Sequence, residues 1–265
     1  MKEIAIVTGA SSGIGEAFVK EICASDDKYD EIWIIARRQE KLDALIALTG
    51  DRRLRPVKAD LIDAEDLESV GTRLSSGDYS VALLINCAGL GRRGNLEDNR
   101  IEDIAATINV NCQSLTLLTK IVLPYMKTSN VKKGGGRIIN IASSAAFLPQ
   151  PGFAVYAASK SYVLNFSRAL GAEVAPKGIV VTAVCPGPVD TEFLGKATGG
   201  RETEFTGIRK NVVVTADKLA AASLKASYRG RRVLVYKFSQ KMFHFASKVL
   251  PTSLILHFEQ KLLKN

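Results

Sequence analysis

The chain alternates two kinds of segment. Short, nearly unbroken apolar runs fall at residues 4–8, 31–36, 54–59, 81–86, 137–142 and 179–184. Between them lie stretches with apolar residues every three or four positions, at 16–24, 40–48, 65–74, 101–126 and 154–175. The first kind predicts strands buried on both faces, because a strand with one wet face would alternate instead. The second kind predicts amphipathic helices. Strand followed by helix, repeated along the chain, predicts an α/β fold with a parallel sheet. No repeat, low-complexity tract or linker interrupts it, so one domain is expected.

The turns after the strands carry the chemistry. Residues 4–8 run into Gly9-Ala-Ser-Ser-Gly13-Ile-Gly15 and then a helix. Glycines let the backbone turn tightly and approach a ligand, and a helix N-terminus offers free N–H groups and a positive dipole end. This predicts a phosphate site, although the spacing differs from the general dinucleotide fingerprint. The second strand ends at Ala36 and is followed by Arg37 and Arg38, with no acid. An acid there would take a free ribose 2′-hydroxyl, whereas arginine suits a 2′-phosphate, so NADP(H) is favoured over NAD(H). Asp60, after the third strand, has two readings: an acceptor for adenine, or a cap for a helix starting near Asp63. The small residues of Asn86-Cys-Ala-Gly89 would let backbone pass close to a cofactor. Asn109 and Asn111 sit inside the 101–126 helical pattern despite poor helix propensity, which calls for a local role. Tyr156 and Lys160 lie one helical turn apart, and a nearby ammonium favours a phenolate, making the hydroxyl a usable proton donor and acceptor.

The ordered set Thr8-Gly-Ala-Ser-Ser-Gly-Ile-Gly15, Asn86-Cys-Ala-Gly89, Asn111, Ser143, Tyr156-x-x-x-Lys160 and Pro186-Gly187 resembles the short-chain dehydrogenase/reductase family. The resemblance covers roughly residues 1–236. It implies a Rossmann-like, doubly wound fold with a seven-stranded parallel sheet and helices on both faces. It implies hydride transfer between a nicotinamide and a carbonyl or alcohol, more readily as reduction. Tyr156 resembles the family's general acid/base, and Lys160 would lower its pKa and bind the nicotinamide ribose. Ser143, rather than the adjacent Ser144, would bind the substrate oxygen, and Asn111 rather than Asn109 would hold a water. Gly9, Gly13 and Gly15 would wrap the pyrophosphate, with Ser11, Ser12 and Ile14 in the same turn. Arg37 and Arg38 would take the 2′-phosphate, and Asp60 with Leu61 would face adenine. Asn86, Ala88 and Gly89 would line the cofactor, and Pro186, Gly187, Val189 and Thr191 would lie at its nicotinamide end. A rival class is a non-catalytic nucleotide-binding scaffold or sensor, though such a protein has no use for the proton-transfer residues.

Composition changes the picture at one end of the chain. Net charge is +9, and residues from 237 onward carry five lysines against one glutamate. The aromatic residues do not interleave with basic runs before this tail, so no nucleic-acid partner is expected. Where many family members have a glycine-rich, tetramer-building segment, this chain has Val233-Leu-Val-Tyr236 and then Phe238, Met242, Phe245 and Val249 at helical spacing. After Pro251, Ile255, Phe258 and Leu262 repeat the pattern. The two basic amphipathic helices of this 237–265 extension have three readings. They cover the chain's own core or substrate site, form a homodimer contact, or lie on an anionic membrane surface.

Residues 190–211, with Phe193, Leu194, Phe205, Ile208 and four glycines, are expected to form the substrate loop and a lid over an apolar carbonyl compound. Residues 128–136, with Lys132 and Lys133, are expected to form an exposed loop. Cys23, Cys87, Cys112 and Cys185 are widely spaced in apolar contexts, and only two histidines are present. No metal site is expected, and reduced thiols fit a cytoplasmic setting. Neither a signal peptide nor a membrane span is expected.

Overall fold

The computed structural model describes residues 1–128, 135–197 and 213–256. Its elements in chain order begin with β1 (Lys2–Thr8), α1 (Gly13–Ala24), β2 (Glu31–Ala36), α2 (Gln39–Thr49), β3 (Leu54–Lys58), α3 (Ala64–Ser75) and β4 (Tyr79–Asn86). Then come α4 (Ile101–Ile108), α5 (Leu115–Val122), β5 (Arg137–Ile141), α6 (Ala154–Glu173) and β6 (Val180–Val184). The chain continues through β7 (Val189–Asp190), α7 (Glu192–Ala197), β8 (Val214–Thr215), α8 (Ala216–Tyr228), β9 (Val233–Leu234) and α9 (Phe238–Val249).

Seven strands form one parallel sheet in the order β3-β2-β1-β4-β5-β6-β9, and β7 pairs with β8 as a small second sheet. The order reverses between β1 and β4, which places the carboxyl ends of both strands at one crevice. Every residue of β2 is buried, as the unbroken apolar run predicted. Successive side chains leave a strand on opposite faces. Ile32 and Ile34 therefore join one core with Phe18, Ile22 and Leu224, while Trp33 and Ile35 join the other with Leu67, Leu118 and Val122. Each fully buried branched side chain contributes about 2 kcal/mol. On the first face α1 packs directly against α8, bringing residues near the two ends of the fold together.

Three features depart from the sequence expectation. The single helix expected over 101–126 is divided: α4 and α5 are separated by a π-helical turn, Asn109–Ser114, and a 3₁₀ turn, Leu123–Tyr125, follows. Helix α8 was not foreseen. Its inward face is built largely of small residues, Ala220, Ser223, Ala226 and Ser227 among them, so its apolar periodicity is weak. The cysteines are free as expected, but only Cys185 is buried and the other three are half-buried. The expected loop around Lys132 and Lys133 lies largely outside the described residues, as do Phe205, Ile208, Gly199, Gly200 and Gly207 of the substrate stretch, Phe258 and Leu262.

Candidate active site

The crevice begins with the turn after β1. Gly9 and Gly13 have φ of +65° and +59°, the left-handed region that favours glycine. Gly15 is required for a different reason: a Cβ there would lie 2.2 Å from the Gly9 carbonyl oxygen. Ser12, at the N-cap of α1, makes no side-chain capping bond, which leaves the first N–H groups of the helix open at its positive end. Ile14 packs on the core below. The turn is stapled to the end of β4 by Thr8, whose Oγ1 accepts from the N–H of Cys87 at 3.0 Å and of Ala88 at 3.1 Å. Sequence reading missed this role of Thr8. A hydroxyl residue closing an apolar strand was its only signal.

Both arginines after β2 reach this turn's surroundings. Arg38 donates to Ser11 Oγ at 3.2 Å and lies 3.5 Å from Glu192 of α7. Arg37 lies 3.6 Å from Asp60. The helix cap belongs to Asp63, which accepts from the N–H groups of Glu65 and Asp66, so the capping reading of Asp60 is overturned. Leu61 is buried in the core beside α3. The Asn86 side chain is also buried, donating to Thr119 and Asn140, because the last residue of β4 points into the layer beneath. Gly89 does line the crevice: a Cβ there would sit 3.4 Å from both Asn111 Oδ1 and Lys160 Nζ.

Helix α6 carries Tyr156 and Lys160, both buried. The Tyr156 ring stacks on Phe153 with centroids 4.2 Å apart and lies 5.5 Å from Phe193. Gly91 passes so close that a Cβ would lie 2.6 Å from the tyrosine ring. Burial pushes the phenol up to about 12, opposed by a hydrogen bond with the Ser143 hydroxyl. This reverses the expectation that Lys160 lowers it. The ammonium lies 5.7 Å from the ring centroid and donates to the Ile141 carbonyl at 2.8 Å, so it does not hold a phenolate. Burial in turn lowers Lys160 to about 8. Ser143, not Ser144, meets the tyrosine, whereas the Ser144 N–H is taken by Pro186 O at 2.7 Å.

Asn111 projects from the π-helical turn. Its Oδ1 accepts from the Leu90 N–H at 2.8 Å, and its Nδ2 donates to Leu90 O at 2.8 Å and Ser159 Oγ at 2.9 Å. It therefore clamps the backbone after Gly89 to α6, with Ser159 as a partner that sequence reading overlooked. At Asn109 it is the backbone carbonyl that accepts, from the Ser114 hydroxyl one turn on. On the far wall, Thr191 presses against Gly13, and Val189 is buried in the small sheet. The buried Gln240 of α9 packs against Gly187, and His244 stacks on Phe147 with ring centroids 4.0 Å apart. Among the described residues, no cluster of metal-ligating side chains occurs, and no helix is long and apolar enough to cross a membrane.

A doubly wound parallel sheet, with a glycine turn and a buried tyrosine–lysine pair at its switch point, defines a nucleotide-binding oxidoreductase architecture. The chain matches the family description "short chain dehydrogenase" over residues 3–202, and it belongs to that family of oxidoreductases. It is 30% identical to the very-long-chain 3-oxoacyl-CoA reductase of Anas platyrhynchos, over 97% of this chain and 78% of that protein. Among solved structures, a short-chain dehydrogenase from Sphingobium yanoikuyae in complex with NADPH is 30% identical, with a TM-score of 0.76 over 100% of this chain and 96% of that one. A 3-ketoacyl-(acyl-carrier-protein) reductase from Brucella melitensis complexed with NADH is 28% identical, with a TM-score of 0.75 over 87% of this chain and 94% of that one.

Proposed function

We propose that this chain is an NADPH-preferring reductase of apolar carbonyl compounds, with 3-oxoacyl thioesters the first candidates. The observation that carries this reading is Tyr156, buried between aromatic rings and hydrogen-bonded to Ser143. A phenol raised by burial is protonated at neutral pH, as giving a proton to a carbonyl oxygen requires.

The residues present fit a nicotinamide dinucleotide. The glycine cradle, which a Cβ at Gly15 would fill, and the open N–H groups of α1 suit a pyrophosphate, with Gly9, Ser11, Ser12, Gly13 and Ile14 forming the turn around it. Arg37 and Arg38 supply positive charge for a 2′-phosphate, and Asp60 lies beside them for adenine. Ala88 and Gly89 form one wall, and Pro186, Gly187, Val189 and Thr191 the other. When bound, the reduced cofactor supplies hydride to the carbonyl carbon.

The chain's own residues do the rest. Ser143 donates to the carbonyl oxygen and holds it near Tyr156, which delivers the proton. Lys160, with a pKa near 8, replenishes that proton from the Asn111 side of the crevice. Asn111 keeps the Leu90 backbone clear of this route. Phe153 and Phe193 keep water from the phenol and present an apolar surface to the substrate. Residues 1–236 carry this catalytic unit, and α9 of the 237–265 extension meets it at Gly187 and Phe147. The names of the Anas and Brucella relatives favour a 3-oxoacyl group over other ketones.

The test is consumption of NADPH and NADH with a panel of 3-oxoacyl thioesters of graded chain length, plain ketones and aldehydes. Turnover with NADPH that improves with acyl length is expected. Cofactor binding without turnover of any panel member would return the chain to the scaffold reading.

A further inference from the structure

The tail helix α9 turns an apolar stripe away from the fold. At 100° per residue, Gln240, His244 and Ser247 share one side, and that side meets the fold at Gly187 and Phe147. Met242, Phe245 and Val249 share the opposite side and are 54%, 64% and 64% exposed. Leu250 and Leu254 extend the exposed apolar surface past the helix end. A soluble helix buries such a stripe. Here Gln240 is buried and His244 and Ser247 are half-buried, while Met242, Phe245 and Val249 point outward.

The surroundings of the stripe are cationic. Lys241 and Lys248, two turns apart, border one flank and are exposed. The charged groups that act on His244 are Lys248 and Arg168, and both lower its pKa after the larger effect of burial. No carboxylate occurs in residues 237–256, and the whole chain carries +9.

We propose that α9 docks the protein on an anionic lipid bilayer, with Met242, Phe245 and Val249 entering the headgroup region and Lys241 and Lys248 facing lipid phosphates. An outward apolar stripe bordered by lysines is the pattern of a helix lying in a membrane interface. A second copy of the chain fits less well. Five side chains fall far short of the roughly 20–30 residues a side of a stable protein interface, and pairing would bring the lysines of two +9 chains together. Because α9 also touches Gly187 and Phe147, a docked protein would hold the site's substrate side close to the bilayer surface. The inference does not depend on the catalytic reading.

The experiment is co-sedimentation of the full chain with vesicles of pure phosphatidylcholine and with vesicles containing 30% phosphatidylserine, about a third of the lipid being a common anionic load. The expected result is binding to the anionic vesicles that falls as salt is added. The triple variant Met242→Gln/Phe245→Gln/Val249→Gln should lose at least about tenfold in partition. Lys241→Gln/Lys248→Gln should lose about thirtyfold on anionic vesicles, each lysine accounting for about fivefold, with little change on neutral ones. Circular dichroism and a thermal melt establish that each variant is folded. Absence of binding to anionic vesicles, or equal binding by the folded triple variant, overturns the proposal. So does a wild-type dimer by light scattering that the triple variant converts to a monomer, since the face then belongs to a second copy.

Discussion

Replacing Lys160 with methionine should make the protein more stable at neutral pH, although the side chain is central to the site. Lys160 is buried, and burial lowers its pKa from 10.5 to about 8. At about 1.4 kcal/mol per pH unit, the folded state bears a cost of about 3 kcal/mol for holding the charge at pH 7. Methionine keeps the apolar stem but leaves the Ile141 carbonyl without its donor, which costs about 1–2 kcal/mol. The variant should therefore gain about 1–2 kcal/mol at pH 7. Below pH 8 both folded and unfolded states hold the proton, and the cost is constant. Between 8 and 10.5 the unfolded chain binds more protons than the folded one, so the lysine's contribution to stability rises with pH. By pH 10 most of the cost has gone, and the wild type should equal or exceed the variant. Urea unfolding of both proteins without added cofactor, at pH 7 and pH 10, measures this. The titrations of tyrosine and Cys23 are common to both and cancel in the difference, whereas those of Cys87, Cys112 and Cys185, which Lys160 lowers, cancel only in part. A difference that stays the same at the two pH values would refute the account of Lys160 as a lysine strained by burial.

Two further substitutions test the roles given to the crevice. Tyr156→Phe should lower turnover by at least about a thousandfold while NADPH binding, followed by fluorescence, changes less than twofold; retained turnover would remove the tyrosine from the chemistry. Arg37→Ala/Arg38→Ala should raise the Kd for NADPH about tenfold or more and leave that for NADH nearly unchanged, since only the former brings a 2′-phosphate. Equal weakening of both would show that the arginines serve the turn through Ser11 and Asp60 rather than the phosphate.

Apolar runs located the first six strands, most of them covered on both faces though the edge strand β3 is largely half-buried, and their boundaries differ from the observed ones by two residues or fewer. The seventh strand, Val233–Leu234, lies in the apolar run Val233-Leu-Val-Tyr236 but has only two paired residues, too few to set it apart as a strand. The π-helical turn at Asn109–Ser114 escaped because one widened turn barely disturbs a 3.6-residue period. At the tail, periodicity identified a helix but not its orientation. The same stripe serves a buried face or an exposed one, and only the contacts of Gln240 and His244 decide between them. In the site, motif and spacing pointed to Asn111, Ser143, Tyr156 and Lys160, which the fold gathers at one crevice. Thr8, Ser159 and Gly91 were not, because they work through backbone bonds or by being small beside Tyr156. The direction of the Tyr156 shift was misread for a related reason: four residues of separation bring Lys160 near in sequence, but Ile141 determines where its ammonium points.

The packing of α1 on α8 bears on how this protein is made. The glycine turn is made well before residues 216–228, which cover the helix that follows it. Tyr29 and Tyr228, 3.3 Å apart through their hydroxyls, close the same seam across 199 residues. A nascent chain halted before residue 216 therefore leaves Phe18 and Ile22 without part of their cover, however complete the sheet beside them. The crevice is begun well before the helix that completes its cover, so termination short of residue 216 yields a sticky, protease-sensitive fragment rather than a smaller working enzyme.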